Sequence, residues 1–377
     1  MKTYYIFIVL CVLVLIGCDS SDDLSTPIDD GKNVSADYII IMENDGDLKT
    51  QYFNANAEAI SLSTKEAALS SNVSPQLHYA EGSVFLQYHK TANCSGLITK
   101  HDFASETTTE ITVFEDLDDC QLTATALTQT NNAVYISYVL TNTNPDTYGV
   151  RVIDMTSEDH SFVDVSLNQK PVDFAIANNR LFILTIDEQV TDENGLSVID
   201  IETNSLIHEK DLGYDARRVI TNAQGNIVVG YDELHGNLNS ETFAITYTQY
   251  EEETAPKFAF SNSRNFNDAG VLFYPSDPGS SSTYPLVASS YDFENNLVVL
   301  YAYDALLSEE KRNFEYKIKT TSAVNFDSNN NIVLVGYEKT DGAMEGGLLR
   351  IKLNSSSEIT AIDNIDLEGI PFEILVN

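Results

Sequence analysis

Residues 171–213 read PVDFAIANNRLFILTIDEQVTDENGLSVIDIETNSLIHEKDLG, and four short apolar runs lie inside them. Phe174 and Ile176 belong to the first run and Leu181, Ile183 and Ile186 to the second, split by Ala177-Asn178-Asn179-Arg180. An Asn pair between apolar runs reads as a β-hairpin turn, because Asn tolerates the positive φ that tight turns demand. A polar loop from Asp187 to Asn194 follows. Gly195 then opens a third run, with Leu196, Val198 and Asp200 on one face and Ser197, Ile199 and Ile201 on the other. Glu202-Thr203-Asn204-Ser205 turns the chain into a fourth, more polar run, Leu206 to Leu212. Apolarity therefore falls from the early strands to the last. That is the plan of an antiparallel sheet buried at one side and wet at the other.

Such a sheet cannot bury its faces alone, so copies are required, as in the blades of a β-propeller. The same plan recurs. The apolar residue after the turn between first and second strands is Val84, Val134, Leu181, Ile227, Leu297 and Ile332, with Ile39 as a seventh that lacks its turn. Successive spacings fit a period of about 40 to 50 residues, except for a long step to Leu297 and a short one after it. That irregularity reads as an insertion near Phe258 to Tyr284, including the loop from Pro275 to Ser282, or as a misplaced blade boundary. Glycine gives a second mark, opening the third strand at Gly96, Gly149, Gly195 and Gly347. The chain ends also match. Ile370-Pro371-Phe372-Glu373-Ile374-Leu375-Val376 echoes Lys170-Pro171-Val172-Asp173-Phe174-Ala175-Ile176, a first strand, and the body from Tyr38 lacks one. The expected fold is all-β, a single propeller domain over 37–377 with about seven four-stranded blades, closed by the C-terminal strand joining the N-terminal blade. Six or eight blades are the alternatives. The run Leu196-Ser-Val-Ile-Asp-Ile-Glu-Thr-Asn204 resembles the repeats of YVTN and NHL propellers, which implies shared architecture only.

The chain has 377 residues, no Trp, 20 Tyr, 17 Phe and a formal net charge of −36. Tyr and Phe suit strands. A surface this acidic repels phosphate backbones, so nucleic acid is an unexpected partner. Pro and Gly are scattered, no linker divides the body, and a monomer is expected.

Met1-Lys2-Thr3 and the apolar run Tyr4 to Ile16 match a signal peptide, too short to span a bilayer comfortably. The run ends in Leu15-Ile16-Gly17-Cys18, which resembles the lipobox of bacterial lipoproteins, with Cys18 as the lipidated residue. Asp19-Ser20-Ser21-Asp22-Asp23 resembles the acidic signal that sends lipoproteins of Bacteroidota to the outer face of the outer membrane. The resemblance implies a signal peptide over 1–17, a tether over 18–36 and anchoring to the outer membrane, at the cell surface, through acyl chains on Cys18.

Cys94 and Cys120 remain as an even pair in an oxidising compartment and read as a disulfide. None of the six histidines has metalloprotease spacing; His235, in a loop after a second strand, is a candidate ligand residue. Arg217-Arg218, an adjacent basic pair in an acidic chain, stands after Tyr214 where a first strand begins. With Tyr231 these form the candidate ligand-binding set, although ion pairing with nearby carboxylates is the favoured reading of the arginines. Asn44 to Asp47 and Glu115 to Asp119 could supply oxygen ligands to calcium, but neither has an EF-hand register. Gly-x-Ser-x-Gly and phosphate-loop motifs are missing, and no catalytic residue stands out. The expected function is a non-catalytic binding or scaffold propeller for a glycan or an envelope protein. The alternative is a calcium-dependent propeller hydrolase or lyase acting on an extracellular substrate.

Overall fold

The computed structural model describes residues 36–377, apart from 66–68, 72–73, 118, 142–144, 189–190, 252–254, 281 and 355–358. Residues 1–35, on which the expected signal peptide, the Cys18 lipid site and nearly all of the expected tether fall, lie outside the described residues. The strands form seven antiparallel sheets. Blade 4 is the stretch quoted above: Lys170–Ala177, Arg180–Ile186, Asn194–Asp200 and Ser205–Gly213. Its Asn178 and Asn179 both adopt positive φ in the predicted turn. Blades 2 and 3 span 77–113 and 122–167, and blades 5, 6 and 7 span 218–249, 265–301 and 318–367. Blade 1 takes its first strand, Ile370–Val376, from the C-terminus; Ala36–Asn44, Asp47–Ala55 and Ile60–Leu62 follow. The described residues therefore make a seven-bladed β-propeller.

Seven buried clusters hold the blades together among the described residues, one at each junction, including that between blades 7 and 1. The second strand of blade 4 shows why its apolar run is unbroken. Leu181 and Ile183 pack toward blade 3, whereas Phe182 and Leu184 pack toward blade 5. Successive side chains point to opposite faces, and here both faces are dry. Fully burying each such side chain is worth about 1.5–3 kcal/mol.

The third-strand glycines have a packing reason. In blade 3 a Cβ on Gly149 would lie 2.6 Å from the Tyr138 hydroxyl, and in blade 2 one on Gly96 would lie 2.8 Å from the Tyr88 ring. A tyrosine on the neighbouring strand covers the glycine, and any larger residue would displace it. The Cys94–Cys120 disulfide is present and joins the loop before the third strand of blade 2 to a short 3-10 helix, Asp119–Gln121, before blade 3. Closing 26 residues of chain is worth about 3 kcal/mol in the loop-entropy description.

One repeat mark was misplaced. Leu297 opens the fourth strand of blade 6, Leu297–Tyr301, and not a second strand. The second strand is Val271–Ser276, 44 residues after Ile227 and 61 before Ile332. The Asn295-Asn296 turn joins third and fourth strands, and its local chemistry is that of any tight hairpin. The extra chain accordingly lies in two connections: 250–264 between blades 5 and 6, and 302–317 between blades 6 and 7, which contains the helical turns Tyr303–Leu306 and Lys311–Glu315.

Removing residues 370–377 deletes the inner strand of blade 1 and exposes the edge of Ala36–Asn44. Calorimetry of the truncated chain is expected to show loss of the single cooperative transition; an unchanged melting temperature would contradict closure by this strand.

Candidate functional site

In each blade the links from second to third strand, and from fourth strand to the next blade, emerge at the same end of the ring. At that end, blades 5 and 6 frame a cavity of about 820 Å³. Asp232 and Glu233 come from the second-to-third link of blade 5, Ser276 from the end of the second strand of blade 6 and Asp277 from the link after it. The connection 250–264 supplies Tyr250, Lys257, Phe260 and Asn262, while Ser322 reaches in from blade 7.

That connection is anchored from beneath. Tyr274 and Ser276 hydroxyls both donate to the Pro256 carbonyl. Phe258 and Ala259 are buried in the one-turn 3-10 helix Phe258–Phe260, pressed against Gly230, where a Cβ would meet Ala259 at 3.0 Å. Glycine at 230 thus admits the helix, and Phe260 is turned outward with 56% of its surface exposed. Arg217 donates to Asp232 at 3.0 Å and lies 5.7 Å from the centre of the Phe260 ring. Lys257 lies 3.4 Å from Asp277. The Gly279 amide, with Lys257 beside it, holds the Asp277 carboxyl below the usual range.

The sequence-derived candidates separate on this framework. Arg217 meets the cavity edge through Asp232 and Phe260. Arg218 donates to Asn262 at 3.1 Å, on the cavity wall. His235 is buried, its Nδ1 2.7 Å from the Tyr250 hydroxyl and its ring packed among Phe258, Tyr291 and Phe293. Burial pushes its imidazole down to about 4, so it supports Tyr250 as a neutral ring. Tyr231 is packed between blades 4 and 5 and donates to the Leu212 carbonyl. Tyr214 is exposed, and a hydrogen bond to Glu193 raises its phenol. Phe260, Lys257 and Asp277 were not anticipated; the break in repeat spacing was the one signal pointing to their neighbourhood.

Described residues of both acidic runs are engaged locally. Asp45 and Gly46 take positive φ in a two-residue hairpin turn between Asn44 and Asp47, which points the flanking residues along the ladder. Asp116 makes a two-pronged ion pair with the buried Arg151, which also binds Asp164. Among the described residues no three His, Cys, Asp or Glu side chains are grouped to hold a metal ion.

A second polar cluster lies on the axis. Arg264, just before the first strand of blade 6 (Asn265–Phe266), stands 3.9 Å from Asp173 on the first strand of blade 4. It also feels Arg218 of blade 5 and Glu373 of blade 1. His78, on the first strand of blade 2 (Leu77–Glu81), lies 4.0 Å from Glu373 and 4.6 Å from the Phe372 ring centre. Burial pushes the Glu373 carboxyl up to about 7, against opposing help from the Ile374 amide, Asn265 and Arg264. Burial, helped by Arg264, pushes His78 down to about 4. Both groups are therefore neutral in the folded protein at mildly acidic pH.

Their linkage to stability has opposite signs. The raised Glu373 contributes stability that is present below about pH 4.5 and lost as pH rises through about 7. The depressed His78 contributes stability that is present above about pH 6.5 and lost as pH falls toward 4. The two offset each other between pH 4.5 and 6.5. E373Q removes one partner, so its stability relative to wild type is expected to rise by about 3 kcal/mol between pH 4 and pH 8. Denaturant unfolding at both pH values checks this; a constant difference would show that Glu373 ionises normally.

No protein-family model and no curated protein matches the chain. Solved structures do. A proposed 6-phosphogluconolactonase from Bacteroides fragilis superposes with a TM-score of 0.52 at 9% identity, covering 93% of this chain and 99% of that one. Another from Bacteroides uniformis gives 0.52 at 10% identity, covering 91% and 99%. At such identity the likeness is one of fold, and it agrees with the β-propeller of this chain.

Proposed function

We propose that this chain is a lipid-anchored envelope protein whose propeller captures a neutral glycan in the cavity between blades 5 and 6. The observation that carries the reading is Phe260, an exposed aromatic face bordered by Asp232, Glu233, Asn262 and Asp277. Pockets of this kind combine an apolar platform with a few polar groups that fix orientation. A sugar ring offers both complements: a C–H face to lie on the phenyl ring, and hydroxyls to donate to carboxylates, whose charge strengthens each hydrogen bond. Carboxylates outnumber Lys257 and Arg217 around the cavity, which favours neutral over anionic sugars.

The anchoring part rests on Leu15-Ile16-Gly17-Cys18 and the acidic residues after it. Among the described residues no helix is long and apolar enough to cross a membrane. A lipid on Cys18 and a tether would hold the ring at the outer-membrane surface, where extracellular glycans are met.

Binding to an array of neutral oligosaccharides tests the cavity. F260A is expected to weaken the bound oligosaccharide about tenfold without lowering the melting temperature, since the ring is exposed; equal binding by F260A would overturn the assignment. C18A is expected to abolish labelling by palmitate and release the protein from membranes, and a C18A protein that remains lipid-labelled would remove the anchor.

A further inference from the structure

The axial cluster has a charge imbalance that its own residues do not resolve. Arg264 sits close enough to groups of blades 1, 2, 4 and 5 for each to interact with it, which is possible only near the axis of the ring. Arg218 and Arg264 repel each other there. Against two guanidiniums stands one carboxylate, Asp173, 3.9 Å from Arg264 and already accepting from the Val219 amide at 3.1 Å. The second acid, Glu373, is held neutral by burial up to about pH 7, and His78 carries no charge above about pH 4. Nη1 of Arg264 and Nε of Arg218 have no hydrogen-bond partner. A cation withdrawn from water without an adequate counter-charge is costly, and proteins that retain one usually supply a partner.

We propose that the propeller axis binds a small oxyanion, of carboxylate or sulfate and phosphate type, between Arg218 and Arg264. The guanidinium forks match the geometry of such anions and cannot be relieved by deprotonation. Asn262 and Asp173 orient the two side chains. With 19% of the Arg264 side chain open to solvent, a small solute can reach it, whereas the acidic exterior repels extended polyanions. The site adjoins the cavity at Asn262, and its argument does not rest on glycan binding.

Isothermal titration of the full chain with sodium sulfate and, separately, with sodium acetate at fixed ionic strength tests the proposal. One saturable site is expected for at least one anion; sulfate alone would identify a tetrahedral ligand and acetate alone a carboxylate. R264Q or R218Q is expected to weaken binding about tenfold or more, the scale of a lost charge-assisted hydrogen bond. F260A leaves it unchanged. Neither probe changes charge between about pH 6 and pH 8.5, so binding should weaken over that range as Glu373 ionises and neutralises Arg264. If R264Q does not fold, R218Q with an unchanged circular dichroism spectrum carries the test. Absence of saturable binding by either anion, or wild-type affinity in both variants, would overturn the site.

Discussion

The antiparallel ladder between Ile370–Val376 and Ala36–Asn44 joins the last and first described strands. It converts a row of sheets into a ring and covers the edge of Ala36–Asn44 that faces the axis. Closure also places the faces of blade 1 between blades 7 and 2, so that Ile40 and Ile374 pack on one side while Ile39 and Leu375 pack on the other. The ladder slips by one residue just after Pro371, which has no amide hydrogen to donate. The first strand of blade 4 slips in the same way at Pro171. The unpaired residues of these bulges, Phe372 and Val172, stand directly before Glu373 and Asp173. These are the two acids that face Arg264.

The interior answers two demands. Blade junctions are apolar and closely packed, and they supply most of the stabilisation. Buried cations are tolerated only with full pairing: Arg151 is gripped by Asp116 and Asp164, and Arg350 by Asp363 and the Asn56 carbonyl. Removing one partner of such a pair would leave an uncompensated charge, which is worse than having no pair. At the axis the two partly buried arginines, Arg218 and Arg264, share less negative charge than these. The contrast singles out the axis.

The cavity arises where the repeat is irregular. A regular blade passes to the next through a short link, as at Asn168-Gln169 between blades 3 and 4. The connection 250–264 is long enough to fold its own 3-10 turn, bury Phe258 and present Phe260. Ring geometry supplies rigidity, and the insertion supplies the surface that differs from blade to blade.

The local signals in the sequence were sufficient for the architecture. Strand periodicity, Asn turns and third-strand glycines depend on residues a few positions apart, and the echo of Pro171 at Pro371 was enough to infer closure. The same locality explains the misplaced mark at Leu297, because Asn295-Asn296 makes the same tight turn whichever strands it joins. The cysteine pair was also legible, since each thiol sits beside a strand boundary. The functional surfaces were not. His235 and Tyr231 are ordinary polar residues in sequence and prove to be core, while Phe260 is one Phe among 17 and proves to be exposed. Arg264, Asp173, Glu373 and His78 lie in segments far apart along the chain and carry no spacing to connect them. The sequence alone determined the strands, the turns and the way the ends meet. Only the ring decided which charges share the axis, because contact there depends on convergence of the inner strands and not on distance along the chain.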